Sequence, residues 1–326
     1  MSAKVAVVGA TGVVGRMMLK VLEERKFPVE ELKLFASARS AGKTMEFCGK
    51  QIPVEELNIQ NIEKSGVDYA LFSAGSEAWA TFAPVFAGCG AVAIDNSKQW
   101  RMNDDVPLVV PEVNPDAAFT HKGIIANPNC STIQAVVALK PLHDAFGIKR
   151  IVYSTYQAVS GAGRQGIDDL RDGTSKKFPY PIVGNIIPHI DVFDGDGYTF
   201  EELKMINETH KILGDYSIKI TATTARVPVY YGHSESINVE FYKPVTRSAA
   251  LEVLSAAPGV VVLDDPAHNV YPMPINAAGT DEVYVGRVRQ DFSVESGLNL
   301  WVVADNIRKG AASNTVQIAE LLYSRK

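Results

Sequence analysis

A cysteine stands where an apolar segment gives way to a helical pattern. Residues 123–126 read Gly-Ile-Ile-Ala, and Cys130 follows four positions later. Apolar residues then recur at helical spacing, at Ile133, Val136, Val137 and Leu139. This order predicts a strand, a sharp turn and a helix that begins near Cys130. The positive end of a helix favours a thiolate, which is the form of cysteine that attacks carbon. The first amides of the helix are also expected to hold the negative charge that then develops on the oxygen of the attacked group. A small buried thiol is the alternative, because most free cysteines are of that kind.

A glycine-rich turn follows the first apolar segment of the chain. Residues 4–8 are mostly valine and alanine, and Gly9, Gly12 and Gly15 come next, ahead of an amphipathic helical pattern. Gly9 permits a tight turn, Gly12 allows the backbone to approach a pyrophosphate, and Gly15 allows close helix–strand packing. This context favours a dinucleotide-binding turn over an ordinary strand–helix turn.

The end of the second predicted strand bears on which dinucleotide is bound. An NAD site usually has an acidic residue there, bonded to the ribose 2′-hydroxyl. Residues 37–43 instead read Ser-Ala-Arg-Ser-Ala-Gly-Lys, with two hydroxyls, two cations and no acid. The segment suits a 2′-phosphate and predicts NADP, and a solvated basic turn is the alternative.

Apolar segments alternate with helical patterns in the first half, which predicts an α/β, Rossmann-type, doubly wound parallel sheet. The candidate strands are residues 5–8, 32–36, 67–73, 91–97 and 107–111. Cofactor and substrate are expected at the carboxyl ends of such strands, so we expect the Cys130 thiol near a nicotinamide. That combination indicates an aldehyde or acyl-phosphate oxidoreductase that works through a thioester.

The second half has a different pattern, with more strands and fewer helices. Its strand candidates are residues 151–156, 218–225, 236–242, 282–289 and 298–304. They predict an α+β domain with a mixed, largely antiparallel sheet and helices on one side. Residues 311–323 predict a terminal helix, and His233 is expected in a turn between strands.

Bulk properties exclude several classes of protein. A length of 326 residues suggests two domains, and a net charge of −5 gives no reason to expect nucleic acid or a membrane surface as a partner. Three scattered cysteines provide neither a disulfide framework nor a zinc cluster, so no metal is expected. The N-terminus does not resemble a signal peptide, which makes a cytoplasmic enzyme or binding protein the expectation.

Six motifs occur in the order seen in aspartate-semialdehyde dehydrogenases, and the resemblance runs from end to end. The motifs are Gly9–Gly15, Ser37–Gly42, Pro128–Thr132, Ser154–Gly163, Arg226–Glu235 and Lys309–Asn314. The chain resembles the Gram-positive-type bacterial branch. The resemblance implies an NADP-dependent homodimer that converts L-aspartyl 4-phosphate to L-aspartate 4-semialdehyde and phosphate. This step leads to lysine, threonine, methionine and diaminopimelate. It also implies an NADP-binding domain, 1–129 plus 311–326, and a catalytic and dimerisation domain, 130–310.

The resemblance implies three catalytic residues. Cys130 is the nucleophile, His233 is the acid/base, and Gln157 orients the reacting acyl group. The implied substrate-binding residues take one charged group each: Arg226 the α-carboxylate, Glu201 the ammonium, and Lys204 with Arg101 the phosphate. Asn129 completes this set. From spacing alone, Glu201 and Lys204 would be an exposed ion pair.

The cofactor-binding residues implied by the resemblance lie in several turns and at the start of the last helix. They are Gly9, Thr11, Gly12, Val13, Gly15, Ser37, Arg39, Ser40, Ser73, Gly75, Ser160, Gly161, Gly163 and Asn314. Two rival functions stay open at this point. One is a related reductase such as N-acetyl-γ-glutamyl-phosphate reductase, for which Glu201 would lack a function. The other is a non-catalytic NADP sensor with an unreactive Cys130.

Overall fold

Strands and helices alternate in the N-terminal half of the chain, as the apolar pattern predicts. The computed structural model describes residues 2–73 and 76–325. Its strands are β1 (Ala3–Val8), β2 (Val29–Ala36), β3 (Thr44–Phe47), β4 (Lys50–Glu56), β5 (Tyr69–Phe72), β6 (Val92–Asp95), β7 (Ile124–Ala126), β8 (Ile148–Gln157), β9 (Lys219–Arg226), β10 (His233–Phe241), β11 (Val260–Val262), β12 (Val283–Gln290) and β13 (Gly297–Ala304). Its helices are α1 (Val13–Glu24), α2 (Ile59–Ser65), α3 (Ser76–Gly88), α4 (Cys130–Phe146), α5 (Arg164–Asp172), α6 (Phe200–Leu213), α7 (Arg247–Ser255), α8 (Pro274–Ala277) and α9 (Ser313–Ser324).

These elements form two units. The first contains Met1–Pro128 and Ala311–Lys326, and its seven strands have the order β3-β4-β2-β1-β5-β6-β7. All neighbouring strands are parallel except β3 and β4, which form an antiparallel hairpin at one edge. The chain runs outward in one direction from β1 and in the other from β5. The carboxyl ends of these two strands are therefore the topological switch point, where such sheets bind nucleotides.

Side chains of β1 enter two hydrophobic cores, one on each face of this sheet. Val5 and Val7 pack in the core that α1 and α9 cover, and Ala6 and Val8 pack in the opposite core. A strand buried on both faces needs a nearly continuous apolar sequence, which explains the residue types in β1. The predicted Rossmann-type sheet is confirmed.

The predicted strand at 107–111 is wrong. Only Leu108 makes a bridge, parallel to Ala126, and the segment forms no named strand. Pro107 and Pro111 cannot donate to a ladder, which limits the pairing that this segment can make. The three-residue β7 occupies the sheet edge instead.

The second unit, Asn129–Gly310, has a six-stranded mixed sheet in the order β11-β12-β13-β10-β8-β9. Strands β12, β13, β10 and β8 are antiparallel to their neighbours in turn, and β11 and β9 add parallel edges. Helices α4, α6 and α7 pack against it. The α+β interpretation is thus confirmed. His233 is not in a turn, however: it is the first residue of β10, because its backbone already pairs with Ala304 of β13.

None of the helices in the described part of the chain combines the length and the apolar character that a membrane crossing needs.

Candidate active site

Cys130 is the first residue of α4, as the sequence predicts. Asn129 precedes it in an extended conformation, and its Oδ1 accepts hydrogen bonds from the amides of Ser131 at 3.0 Å and Thr132 at 3.2 Å. This arrangement is a regular side-chain N-cap. The cap engages two of the amides at the helix start that we expected to hold the oxyanion.

A second contact holds Asn129 in place and was not predicted. The Asn129 backbone amide donates to Oε2 of Glu208 at 2.6 Å, and Glu208 is almost fully buried on α6. The residue before the thiol is therefore fixed by both its backbone and its side chain. Nothing in the local sequence signals Glu208, because the contact spans 79 positions.

The Cys130 thiol lies beside His233. Sγ is 3.3 Å from Nε2 of His233, and the imidazole is fully buried. Nδ1 of the same ring accepts a hydrogen bond from the Ala158 amide at 3.0 Å. Burial, and then the charge of Arg226, holds the pKa of His233 well below its ordinary value. The imidazole is therefore neutral at neutral pH.

Strand register places Gln157, the other catalytic candidate, and Arg226, the arginine expected to bind the substrate, beside His233. Gln157 of β8 pairs with Arg226 of β9, and Tyr156 pairs with Ser234 on the other side, so Gln157 and His233 are neighbours. Arg226 is buried, donates to the Ala158 carbonyl at 2.7 Å, and has the Phe178 ring 5.9 Å away. Gln157, Arg226 and His233 thus form one row at the end of the sheet, which we call the first row.

Glu201 connects this row to the cap of α4. Its Oε1 accepts from Asn129 Nδ2 at 2.9 Å and from Gln157 Nε2 at 3.2 Å. A capping box, Thr199 with Glu202, fixes the first turn of α6 on which Glu201 lies. Burial alone would raise the pKa of Glu201, but Lys204 and then Asn129 outweigh burial and lower it. Glu201 is therefore a buried carboxylate.

Lys204 is held between two carboxylates. Its Nζ lies 3.1 Å from Oε2 of Glu201 and 2.6 Å from Oδ2 of Asp191. The ion pair with Glu201 that spacing predicts is present, but Glu201 is buried rather than exposed. Asp191 was not predicted. A phosphate at Lys204 would have to compete with both carboxylates.

Gly161 and Ser160 belong to the turn that follows β8, in the second unit. A Cβ on Gly161 would lie 2.8 Å from Nη1 of Arg226 and 3.2 Å from Cε1 of His233. Ser160 Oγ accepts from Asn306 Nδ2 at 3.0 Å, and Asn306 Oδ1 also accepts the Gly232 amide. The turn therefore supports the first row. Gly163 has a φ of 76° and lies where the turn meets α5.

In the first unit, the glycine turn has the geometry that a pyrophosphate cradle requires. Gly9 has a φ of 77°, and a Cβ on Gly15 would lie only 2.3 Å from the Gly9 carbonyl. Gly12 is the N-cap of α1 and supplies no side-chain cap, and Thr11 and Val13 flank it. Ser73, at the end of β5, donates to the Gly9 carbonyl at 3.1 Å. These residues fit a bound dinucleotide.

The remaining first-unit candidates lie at strand ends or in the last helix. Ser37 ends an extended segment, and Ala38–Ser40 form a single exposed 3₁₀ turn that carries Arg39. Arg101 is buried and donates to the Asn96 carbonyl at 3.1 Å. Asn314 Nδ2 donates to Val109 O and to Asn127 Oδ1. Gly75 lies outside the described residues. Within those residues, no cluster of His, Cys, Asp and Glu could hold a metal ion.

Both halves of the chain match models of one protein family. Residues 4–121 match "Semialdehyde dehydrogenase, NAD binding domain", and residues 139–309 match "Semialdehyde dehydrogenase, dimerisation domain". The aspartate-semialdehyde dehydrogenase of Aquifex aeolicus (strain VF5) is 60% identical, over 99% of this chain and 98% of that protein. The chain belongs to the aspartate-semialdehyde dehydrogenase family.

Other members of this family are similar in sequence and in structure. The Legionella pneumophila aspartate-semialdehyde dehydrogenase is 51% identical over 98% of this chain and 95% of that protein. The Vibrio cholerae aspartate-semialdehyde dehydrogenase II, solved as a complex with ASA, is 49% identical with a TM-score of 0.95 and covers 99% of both chains. Family membership makes this chain an enzyme, an oxidoreductase of amino-acid biosynthesis.

A second row of polar residues crosses the same three strands, two positions along each strand from the first row of the dehydrogenase site. Glu235, Thr155 and Thr224 are paired across β10, β8 and β9, and all three are buried. Neither carboxyl oxygen of Glu235 has a hydrogen-bond partner among the described residues. Burial, and then the charge of Glu201, raises the pKa of Glu235 well above its ordinary value. Glu235 is thus a neutral carboxylic acid inside the fold.

Glu235→Gln is expected to stabilise the enzyme in a pH-dependent way. At pH values between the pKa of Glu235 in the unfolded chain and its pKa in the folded chain, the unfolded chain ionises this residue while the folded chain keeps it protonated. Glu235 therefore lowers the free energy of unfolding as pH rises. Urea unfolding should show a larger free energy of unfolding for the variant near pH 7, and a gain that shrinks toward about pH 4. A gain that is constant across this range would contradict the protonated state.

Gly310→Ala is expected to displace the nucleophile. A Cβ at position 310 would lie 2.8 Å from Cys130 Cβ and 3.2 Å from Cys130 Cα, so the backbone at the start of α4 would have to move. We expect kcat to fall about a hundredfold, because small misplacements of reacting groups are costly. Gly195→Ala is the matched control, since nothing lies within 4 Å of a Cβ there. Equal kinetics for the two variants would refute this role of Gly310.

Proposed function

We propose that the enzyme catalyses the NADP-dependent reductive dephosphorylation of L-aspartyl 4-phosphate to L-aspartate 4-semialdehyde and phosphate. The reaction would proceed through a thioester on Cys130. The observation that carries the proposal is the approach of Cys130 Sγ to His233 Nε2, 3.3 Å, at the start of α4 and beside a buried arginine and a buried carboxylate. A thiol in this setting is a nucleophile rather than a packing group.

The two charged groups near the thiol match the two charges on an α-amino acid. Arg226 would bind the α-carboxylate, for which a guanidinium has two parallel donors. Glu201 would bind the ammonium, and its ionised state supports that role. Asn129, bonded to Glu201, would hold the substrate next to the thiol, and Gln157 would orient the acyl group.

The phosphate would be bound by Lys204 and Arg101. Lys204 supports this proposal because it is a partly buried cation whose pKa is raised: burial lowers it, but Glu201 and Asp191 outweigh burial. Arg101 supports it because its guanidinium lies in a loop that Asp95, Asn96 and Ser97 organise through hydrogen bonds. Burial raises the pKa of Asp95, in the same loop, to about 6.

The cofactor supplies the hydride when it is bound. Gly9, Gly12 and Gly15 would hold its pyrophosphate, together with Thr11 and Val13 next to them in the turn. Ser37, Arg39 and Ser40 would bind the 2′-phosphate, since no acidic residue in that turn repels it. Ser73, which follows β5, and Gly75, Ser160, Gly161, Gly163 and Asn314 would contact the nicotinamide half.

Arg39→Ala should test the NADP preference. Removal of this exposed cation should lower kcat/KM for NADP about tenfold or more and change kcat/KM for NAD little, because only NADP has the 2′-phosphate. Lys50→Ala, a change to another exposed cation of the same unit, is the control. Equal losses with both cofactors, or efficient use of NAD by the unchanged enzyme, would sink the preference.

The proposal includes the wider assignments made from the sequence. Residues 1–129 with 311–326 would bind NADP, and residues 130–310 would carry catalysis and a homodimer contact. One support for the dimer is the partly exposed pair Tyr156 and Trp301 on the sheet of the second unit, whose rings are 5.5 Å apart. The three cysteines are free, which suits the cytoplasm. Motif order supports the Gram-positive-type branch.

A phosphate-dependent assay tests the function directly. The enzyme, L-aspartate 4-semialdehyde and NADP should form NADPH only when inorganic phosphate is added, which runs the reaction backwards. Formation of NADPH from N-acetyl-L-glutamate 5-semialdehyde at an equal rate would favour the related reductase. NADP binding without turnover of either aldehyde would favour a sensor.

A further inference from the structure

Asp191 lies on an irregular segment that a backbone bridge holds at each end. The bridge between Ile187 and Arg226 fixes its start, and the bridge between Phe193 and Thr199 fixes its end. Asp191 itself has a φ of 69°, in the left-handed region that few residues other than glycine adopt. Aspartate and asparagine tolerate this region because their short side chains can bond to the backbone nearby. Backbone conformations of this kind are often found where a side chain has a function.

Both carboxylate oxygens of Asp191 have partners. Oδ1 accepts the Val192 amide at 3.0 Å, and Oδ2 accepts from Lys204 Nζ at 2.6 Å. The first bond closes a local turn, and the second joins the segment to α6. The left-handed backbone and the local bond thus orient the carboxylate toward the lysine.

Lys204 has more negative than positive charge around it. Its Nζ also lies 3.1 Å from Oε2 of Glu201, so two carboxylates face one ammonium group. Burial by itself would lower the pKa of Lys204, but Glu201 and then Asp191 raise it above its ordinary value. An inorganic phosphate anion that reaches this cation would therefore meet a set of groups whose charge is negative overall.

The two carboxylates differ in their surroundings. Glu201 is on a helix, its side chain is 7% exposed, and Asn129 and Gln157 also donate to it. Asp191 is on the irregular segment, and its side chain is 22% exposed. Glu201 is also the group that the proposed function assigns to the substrate ammonium, so its charge is needed while substrate is bound. Asp191 is therefore the carboxylate that can leave Lys204.

We propose that Asp191 occupies Lys204 when phosphate is absent and is displaced when phosphate binds, so that it lowers the affinity of the site for phosphate. This inference deepens the proposed function and rests on its assignment of Lys204 to the phosphate. Phosphate is a product of the forward reaction, and Asp191 returns to Lys204 as phosphate leaves. Asp191 acts through Lys204 and is a positioning residue, not a catalytic one.

Asp191→Asn is the variant that isolates the charge of this side chain. Asparagine has the same shape, tolerates the left-handed backbone and can still accept the Val192 amide. It carries no negative charge, so phosphate no longer has a charged competitor on that side of Lys204. We expect the dissociation constant of inorganic phosphate, measured by titration calorimetry on the NADP-bound enzyme, to fall about fivefold or more.

Asp194→Asn is the matched control. Asp194 belongs to the same segment, is partly exposed, and its carboxylate accepts the Asp196 amide at 3.0 Å. The control removes an equal charge and should leave phosphate binding unchanged. The gain in Asp191→Asn should shrink as ionic strength rises, because salt screens interactions between partly exposed charges. General damage to the fold would weaken phosphate binding, so a gain in affinity separates the proposed role from a structural one.

A second measurement uses the unchanged enzyme. In a crystal structure with NADP and inorganic phosphate, we expect a phosphate oxygen to lie on Lys204 Nζ in the place of Asp191 Oδ2. A phosphate at Lys204 with Asp191 still paired to it would overturn the proposal, as would unchanged or weaker phosphate binding by Asp191→Asn. Phosphate bound away from Lys204 would overturn it together with the assignment of that lysine.

Neither measurement requires turnover. Tighter phosphate binding by Asp191→Asn, in an enzyme that forms no NADPH from L-aspartate 4-semialdehyde, would reject the proposed function alone. Phosphate-dependent NADPH formation, with no gain in phosphate affinity in the variant, would reject this inference alone.

Discussion

Cys130→Ala should lower turnover to below about a thousandth of that of the unchanged enzyme, in both directions of the reaction. The sulfur is the only atom of this side chain that can carry an acyl group, and the contact with His233 Nε2 would be lost with it. NADP binding, measured by fluorescence titration, should be retained because the glycine turn lies in the other unit. Cys89→Ala, a change to an exposed cysteine, should leave the rate unchanged.

Residual turnover of the Ala variant well above this level would mean that the acyl group is not transferred through Cys130. A loss of NADP affinity that parallels the loss of rate would instead indicate a folding defect. Thermal unfolding of the same samples separates these outcomes.

Glu201→Gln should lower kcat/KM for L-aspartate 4-semialdehyde about a hundredfold or more, roughly 3 kcal/mol. Three donors converge on this carboxylate: Asn129 Nδ2, Gln157 Nε2 and Lys204 Nζ. An amide keeps the shape of the side chain but removes the charge that an ammonium group needs. It also turns an N–H toward a donor, which leaves a buried polar group unpaired.

The same variant separates the proposed substrate from an acetylated one. An N-acetylated aldehyde has no ammonium, so any activity on it should change much less than activity on the aspartate substrate. Glu252→Gln, at an exposed position on α7, is the control for a change of net charge. Equal loss on both aldehydes would show that Glu201 only maintains the structure of the site.

Sequence patterns predicted the features that depend on neighbouring residues. The helix start at Cys130 and the glycine turn after β1 are each encoded within a few positions, and both are present. The resemblance to a family added the roles of distant residues. It singled out His233 as a site candidate but could not show that this residue begins a strand.

Contacts between distant segments could not be predicted in this way. The Ala158 amide on His233, Glu208 on Asn129, and Asp191 on Lys204 each join residues of different elements. Backbone donors carry no signal in the residue type, and a glutamate in the middle of a helix is usually solvated. The buried Glu235 likewise follows from strand register, because a two-residue period places it behind His233.

The acyl-enzyme itself provides the most direct test of the central claim. The enzyme should be mixed with L-aspartate 4-semialdehyde and NADP in the absence of phosphate, quenched in acid, digested and analysed by mass spectrometry. We expect an aspartyl adduct on the peptide that contains Cys130, formed together with NADPH and removed when phosphate is added before the quench. NADPH formation without an adduct, or an adduct at a residue other than Cys130, would contradict the account.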